Sequence, residues 1–184
     1  LTVKPGETVA LVGPSGAEAP LRRSDVPRLL VAIRAGGVLG PLFLMYGLAG
    51  TDAAGASLLL NAEGLATMAI AWMAYRENVD RRLLAGALAI LAGGVILTLG
   101  EPATFQAGAL LIVAACVCWG VDNNVTRGIA GADPVRIAMI KGLVAGVVNI
   151  ALGMLGGATW PAPGVLATAA LTGFLGYGVS LALF

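Results

Sequence analysis

The sequence predicts an all-α fold, a polytopic transmembrane bundle of about six helices. Three observations carry that prediction. Hydrophobic residues make up 58% of the 184 residues and charged residues 11%, with a mean hydropathy of +0.91, which is more apolar surface than a water-soluble domain hides. Six apolar stretches lie between Val26 and Phe184, each near the roughly 20 residues that a hydrocarbon core of about 30 Å requires. The Lys and Arg residues of the connecting loops fall on alternate connections. A transmembrane barrel would instead show alternating strands of about ten residues, a pattern this sequence lacks.

The first stretch, 27–48, follows Arg22 and Arg23, has Arg28 at its start and carries the small-residue face Gly36-xxx-Gly40. The second, 53–74, is reached through a loop that holds Asp52 and no Lys or Arg. Arg76, Arg81 and Arg82 then lead into the third, 83–100. Glu101 marks the way into the fourth, 107–128, and Arg127 and Arg136 flank the step to the fifth, 134–155. That fifth stretch carries Gly142-xxx-Gly146 and Gly153-xxx-Gly157, and the sixth, 164–184, follows a loop at Trp160 without Lys or Arg. Small residues let helix backbones approach where lipid gives no hydrophobic drive. These faces serve packing within one bundle or, alternatively, pairing into a homodimer.

Short loops rich in Lys and Arg stay on the cytoplasmic side during insertion. The loops near Arg22, Arg81 and Arg136 are therefore expected to be cytoplasmic, with helices one, three and five running outward through the plasma (inner) membrane. The net charge of +1 points to no nucleic acid. Cys116 and Cys118 are the only cysteines and His is absent. Two cysteines two apart on a helix point to different faces, so neither a disulfide nor a metal site is expected, and no serine-hydrolase elbow exists. No catalytic residues and no cofactor are expected, and the chain is not read as an enzyme.

Residues 1–16 have another character. Leu1 to Gly16 reads as a turn at Pro5-Gly6, a buried strand and a glycine loop. It resembles the strand and Walker A loop of ATP-binding-cassette ATPases. A phosphate loop needs Lys and a hydroxyl after its second Gly, but the required positions hold Glu18, Ala19 and Pro20. No nucleotide site is expected, and 1–17 is taken as a truncated or fused soluble tail.

An internal repeat is visible at an offset of 136 residues, where Gly37, Leu39 and Gly40 match Gly173, Leu175 and Gly176. The charge pattern runs the first helix outward and the sixth inward, so a five-helix repeat would be inverted, as in many secondary transporters. Further along, Ser57 to Gly64 contains a leucine run with Glu63, Ala71 to Asn78 ends a helix in Tyr-Arg-Glu, and Gly86 to Val95 contains a Gly-Gly pair. Together with Trp119-Gly120 and Asn123-Asn124, these segments resemble the EamA-type members of the drug/metabolite transporter superfamily over about 18–184. Gly64 stands where that family places Pro, which puts the family's kink in doubt. The resemblance implies ten helices in two inverted five-helix repeats and alternating access for small organic metabolites or drugs. It implies that 18–100 holds the last three helices of one repeat and 101–184 the first three of the next. An incomplete cavity would then not transport alone. The alternatives are a membrane anchor for an ATPase and a non-functional product of a fused or truncated gene.

Ionisable groups within a bilayer are costly and therefore functional candidates. Glu63 lies near the middle of the second stretch, Arg34 two turns inside the first and Lys141 two turns inside the fifth. Asp122 and Lys141 lie nine and ten residues from Gly131, so at 1.5 Å per residue they share a depth on antiparallel neighbours and are expected to pair. That pair is read either as a latch or as a gate and anion contact. Glu63 is read as a proton carrier or as a packing position neutralised by Arg34 or by neighbouring helices. Asn61, Asn123, Asn124 and Asn149 offer donors and acceptors to a small-molecule substrate or act as glue between helices. Trp119 is deep enough to line a cavity, whereas Trp72, Tyr75 and Trp160 fall at helix ends and suit an interfacial belt. The lipid bilayer is the remaining expected partner.

Overall fold

The computed structural model describes residues 21–78, 80–99, 103–129, 131 and 133–179. The expected tail and its glycine loop lie outside the described residues, as do residues 180–184. Every regular element described is helical. Helix α1 spans Arg23–Leu48, α2 Ala53–Tyr75, α3 Arg81–Thr98, α4 Ala103–Arg127, α5 Pro134–Leu155 and α6 Pro163–Gly173, the last continuing as a π segment over Phe174–Val179. Among the described residues four helices (α1, α2, α4 and α5) are long and apolar enough to cross a membrane. The chain is a multi-pass membrane protein of the helical-bundle class.

Polar residues at the loops start these helices. Asp52 accepts from the Gly55 amide at 2.8 Å at the start of α2, and Asp133 accepts from Val135 at 2.8 Å and Arg136 at 3.2 Å at the start of α5, each supplying an orphan donor with a partner. Pro134 follows Asp133 at the first helical position, where no amide hydrogen is missed. Arg76 ends α2 in the left-handed conformation (φ 53°, ψ 35°) and turns the chain away from the helix axis.

Helix α4 is the hub. In its hydropathic window 44% of residues are buried within the protein, against 11% in α5. Helices α1 and α2 both pack on it, while α5 packs mainly on the middle of α1. One apolar core joins Leu29 and Ile33 to Ile129, Ile137 and Ala145; the other joins Ala56 and Leu59 to Phe105, Ala109, Ile112 and Cys116. Close approach of α2 to α4 requires Gly120, where a Cβ would come within 2.9 Å of the Ala66 and Thr67 backbone. Helix α6 stands outside this packed group, with every residue from Pro163 to Gly176 exposed. The small-residue faces divide accordingly. Gly36 and Gly40 face the Asp122 and Trp119 side chains, but Gly142 and Gly146 have no neighbour within 4 Å, so the expected packing within the bundle does not extend to the face on α5.

Two helices depart from α geometry. Helix α2 breaks at Leu60–Asn61 rather than at Gly64, which lies inside the resumed helix. Asn61 Nδ2 donates to the Leu58 carbonyl at 3.0 Å and the Ser57 carbonyl at 3.3 Å, and this bonding to carbonyls of the preceding turn competes with the regular ladder. Helix α1 is π-helical over Ile33–Leu39. There the Gly40 amide donates to the Ala35 carbonyl five residues back. Pro41, which follows, has no amide hydrogen to give to Gly37. The carbonyls so freed are met by side chains of other helices, as the next section shows.

Candidate functional site

Polar side chains gather on two faces of α4, and its helical spacing explains the split. Trp119, Asp122 and Thr126 recur every three or four residues and face α1 and α5, whereas Gly120, Asn123, Asn124 and Arg127 face α2.

On the first face, Lys141 Nζ lies 2.5 Å from Asp122 Oδ1, and the Thr126 hydroxyl donates to the same oxygen at 2.9 Å. The pair expected from equal depth is formed, and Asp122 is only 8% exposed. Trp119 Nε1 donates to the Gly36 carbonyl at 3.1 Å and Asn149 Nδ2 to the Gly37 carbonyl at 2.8 Å. These are the carbonyls of the π segment whose backbone donors are displaced or removed by Pro41. Backbone groups at membrane depth require such partners. Asn149 thus acts as glue between helices, one of the two readings its sequence position left open.

On the second face, Asn123 Nδ2 donates to Glu63 Oε1 at 3.0 Å and to Thr67 Oγ1 at 3.2 Å. Asn124 Nδ2 donates to the Thr67 carbonyl at 2.9 Å and the Gly120 carbonyl at 2.8 Å, while its Oδ1 is buried without a donor among the described residues. A cavity of about 460 Å³ opens beside this cluster between α2, α3 and α4, lined by Glu63, Thr67, Met68, Leu83, Asn123 and Arg127 among others. That volume lies within the range of small-molecule sites. At its far end Arg127 pairs with Glu77 at 2.7 Å and lies 5.1 Å over the Tyr75 ring. The Tyr75 hydroxyl donates to the Asn124 carbonyl at 3.4 Å, so Tyr75 ties α2 to α4 as well as standing at a helix end.

Two expectations are corrected. Arg34 is exposed and forms no ion pair with Glu63. Helices α1 and α2 pack on α4 and meet each other only near their shared loop, so α4 separates the two charges. Asn61 neither bridges helices nor faces the cavity, since its amide serves the break in its own helix. Two participants escaped the sequence reading, Thr67 and the Glu77–Arg127 pair. The visible signal for the pair was position, because both of its ends sit at helix termini beside loops that carry Arg. Among the described residues no group of three potential metal ligands exists, and both cysteines are free.

Comparison with known proteins fits this architecture. The model of the EamA-like transporter family matches residues 9–99, from within the expected tail to the end of α3. An uncharacterized transporter of Methanothermobacter thermautotrophicus is 30% identical over 139 residues, which are 72% of this chain and 40% of that protein. The chain thus spans about two fifths of the curated relative it matches. No solved structure matches significantly. With a multi-pass helical bundle and a family match through its first three helices, the chain is similar to the EamA-like transporter family over residues 9–99.

Proposed function

We propose that the chain is the central part of a secondary transporter for small organic metabolites or drugs, working by alternating access, with the cavity between α2, α3 and α4 as its substrate site. The observation that carries this reading is Glu63, a carboxylate bonded by Asn123 on the wall of a membrane-depth cavity. The family match supports a transporter rather than an enzyme or an ATPase anchor. The cavity wall runs from Glu63 down α2 to Glu77 and Asn78, about 18 Å at the helical rise to Tyr75, and ends beside the loop of Arg76, Arg81 and Arg82. If that loop is cytoplasmic in the inner membrane, as its charge favours, the cavity opens inward.

Both glycine-rich helices aligned in the expected repeat carry a π segment, Ile33–Leu39 and Phe174–Val179, but at the offset of 136 these overlap only at 38–39 against 174–175. The test is to sequence the gene beyond both ends, reconstitute its full product in proteoliposomes and measure uptake of a metabolite panel. Further apolar spans on both flanks and uptake impaired by Glu63→Gln are expected. Flanks without apolar spans refute the ten-helix plan, and uptake with unchanged pH dependence in the variant refutes a proton role for Glu63.

A further inference from the structure

Granting that the cavity between α2, α3 and α4 is the substrate site, we propose that it accepts a small organic monocation, an ammonium head on an apolar body, and rejects anions and zwitterions. The charge of the lining is the first argument. It contains the carboxylates of Glu63 and Glu77 and a single guanidinium, Arg127. That guanidinium is engaged with Glu77 at 2.7 Å and with the face of Tyr75. Glu63 has no Lys or Arg within ion-pair distance among the described residues. An ionised group at this depth calls for a counter-charge, and a bound cation supplies one.

The polarity of the hydrogen-bonding atoms is the second argument. Asn123 spends its Nδ2 on Glu63 and Thr67. Its Oδ1 accepts nothing among the described residues, so the inner end of the cavity offers the carboxylate and an amide oxygen. An ammonium has only donors to give and a carboxylate only acceptors. The inner end of the cavity therefore matches the first and would set the second beside a like charge. Met68, Ala71 and Leu83 line the remainder and suit an apolar body.

The probes are four molecules sharing a phenyl body: phenethylammonium, 2-phenylethanol, phenylalanine and 3-phenylpropanoate. Binding to the 184-residue chain in lipid nanodiscs is measured by calorimetry. Phenethylammonium is expected to bind about tenfold or more tightly than the isosteric alcohol, since a site built around a polar contact rejects ligands that lack it. The zwitterion and the anion are expected to bind more weakly than the alcohol. Glu63→Gln should bring the cation down to the level of the alcohol, and Glu63→Asp should keep part of the preference, with helix content by circular dichroism reporting folding of each. Equal binding of cation and alcohol to the unsubstituted chain overturns the proposal whatever the variants do, as does absence of binding or a preference retained in a folded Glu63→Gln protein. Cation binding that depends on Glu63 without uptake by the full-length protein overturns the transporter reading and leaves this one standing. Uptake that needs Glu63 without any preference for the cation does the reverse.

Discussion

Removing the Lys141 charge should destabilise the bundle more than any surface substitution, and the structure sets the size. The Asp122 and Lys141 side chains are 12% and 21% exposed, and Asp122 Oδ1 accepts from both Lys141 and Thr126. Deleting one member of a buried pair costs about 3–5 kcal/mol because the other charge stays behind. Lys141→Met strands Asp122 with only the Thr126 hydroxyl, so a loss of about 3 kcal/mol, the low end, is expected. Asp122→Asn should cost less, about 2 kcal/mol, because the long Lys stem can carry its ammonium toward a polar region. In the double variant neither charge is stranded, and a coupling of about 2 kcal/mol should appear in the cycle. Exchanging the two residues is a poorer test, since the Asp122 side chain lies against Gly36 and a Lys there would overfill the contact. The assay is denaturant unfolding in mixed micelles followed by circular dichroism. Additive losses within about 0.5 kcal/mol would refute the pairing as an energetic unit.

Gly120→Ala should cost about 1–3 kcal/mol in the same assay, by pushing α4 off the Ala66–Thr67 backbone, whereas Gly142→Ala, with open space around it, should be neutral or slightly stabilising through helix propensity. Gly36→Ala should drive its methyl into Asp122 and abolish the coupling to Lys141, which the same double-mutant cycle reads. Asn149→Leu should cost about 1 kcal/mol as it leaves the Gly37 carbonyl without its donor. In a Pro41→Ala background, where residue 41 regains an amide hydrogen, that loss should shrink toward zero.

The helices were legible because a bilayer leaves the backbone few options, and four of the six expected stretches are long and apolar enough to cross it among the described residues. Depth was legible too, since counting from Gly131 placed Asp122 against Lys141 on sequential antiparallel helices. Lateral order was not. Arg34 and Glu63 lie on consecutive helices, yet α4 sits between them, and nothing local in either helix says which later helix will be inserted. The partners of Glu63 were hidden for the same reason: Asn123 comes 60 residues later and meets it only because Gly120 lets α4 lie close to α2. The π segment left a faint trace, a Gly-Gly pair four residues before Pro41, whose meaning depends on donors from Trp119 and Asn149 on two other helices.

That segment also gives α1 an unusual tolerance to changes in length. A π turn holds one residue more than an α turn, so deleting a residue between Ile33 and Leu39 can restore α geometry while both flanks keep their facing. The same deletion elsewhere in α1 would rotate everything beyond it by about 100° and turn Leu29 or Gly40 away from their neighbours. Natural insertions and deletions in this helix should therefore collect within those seven residues.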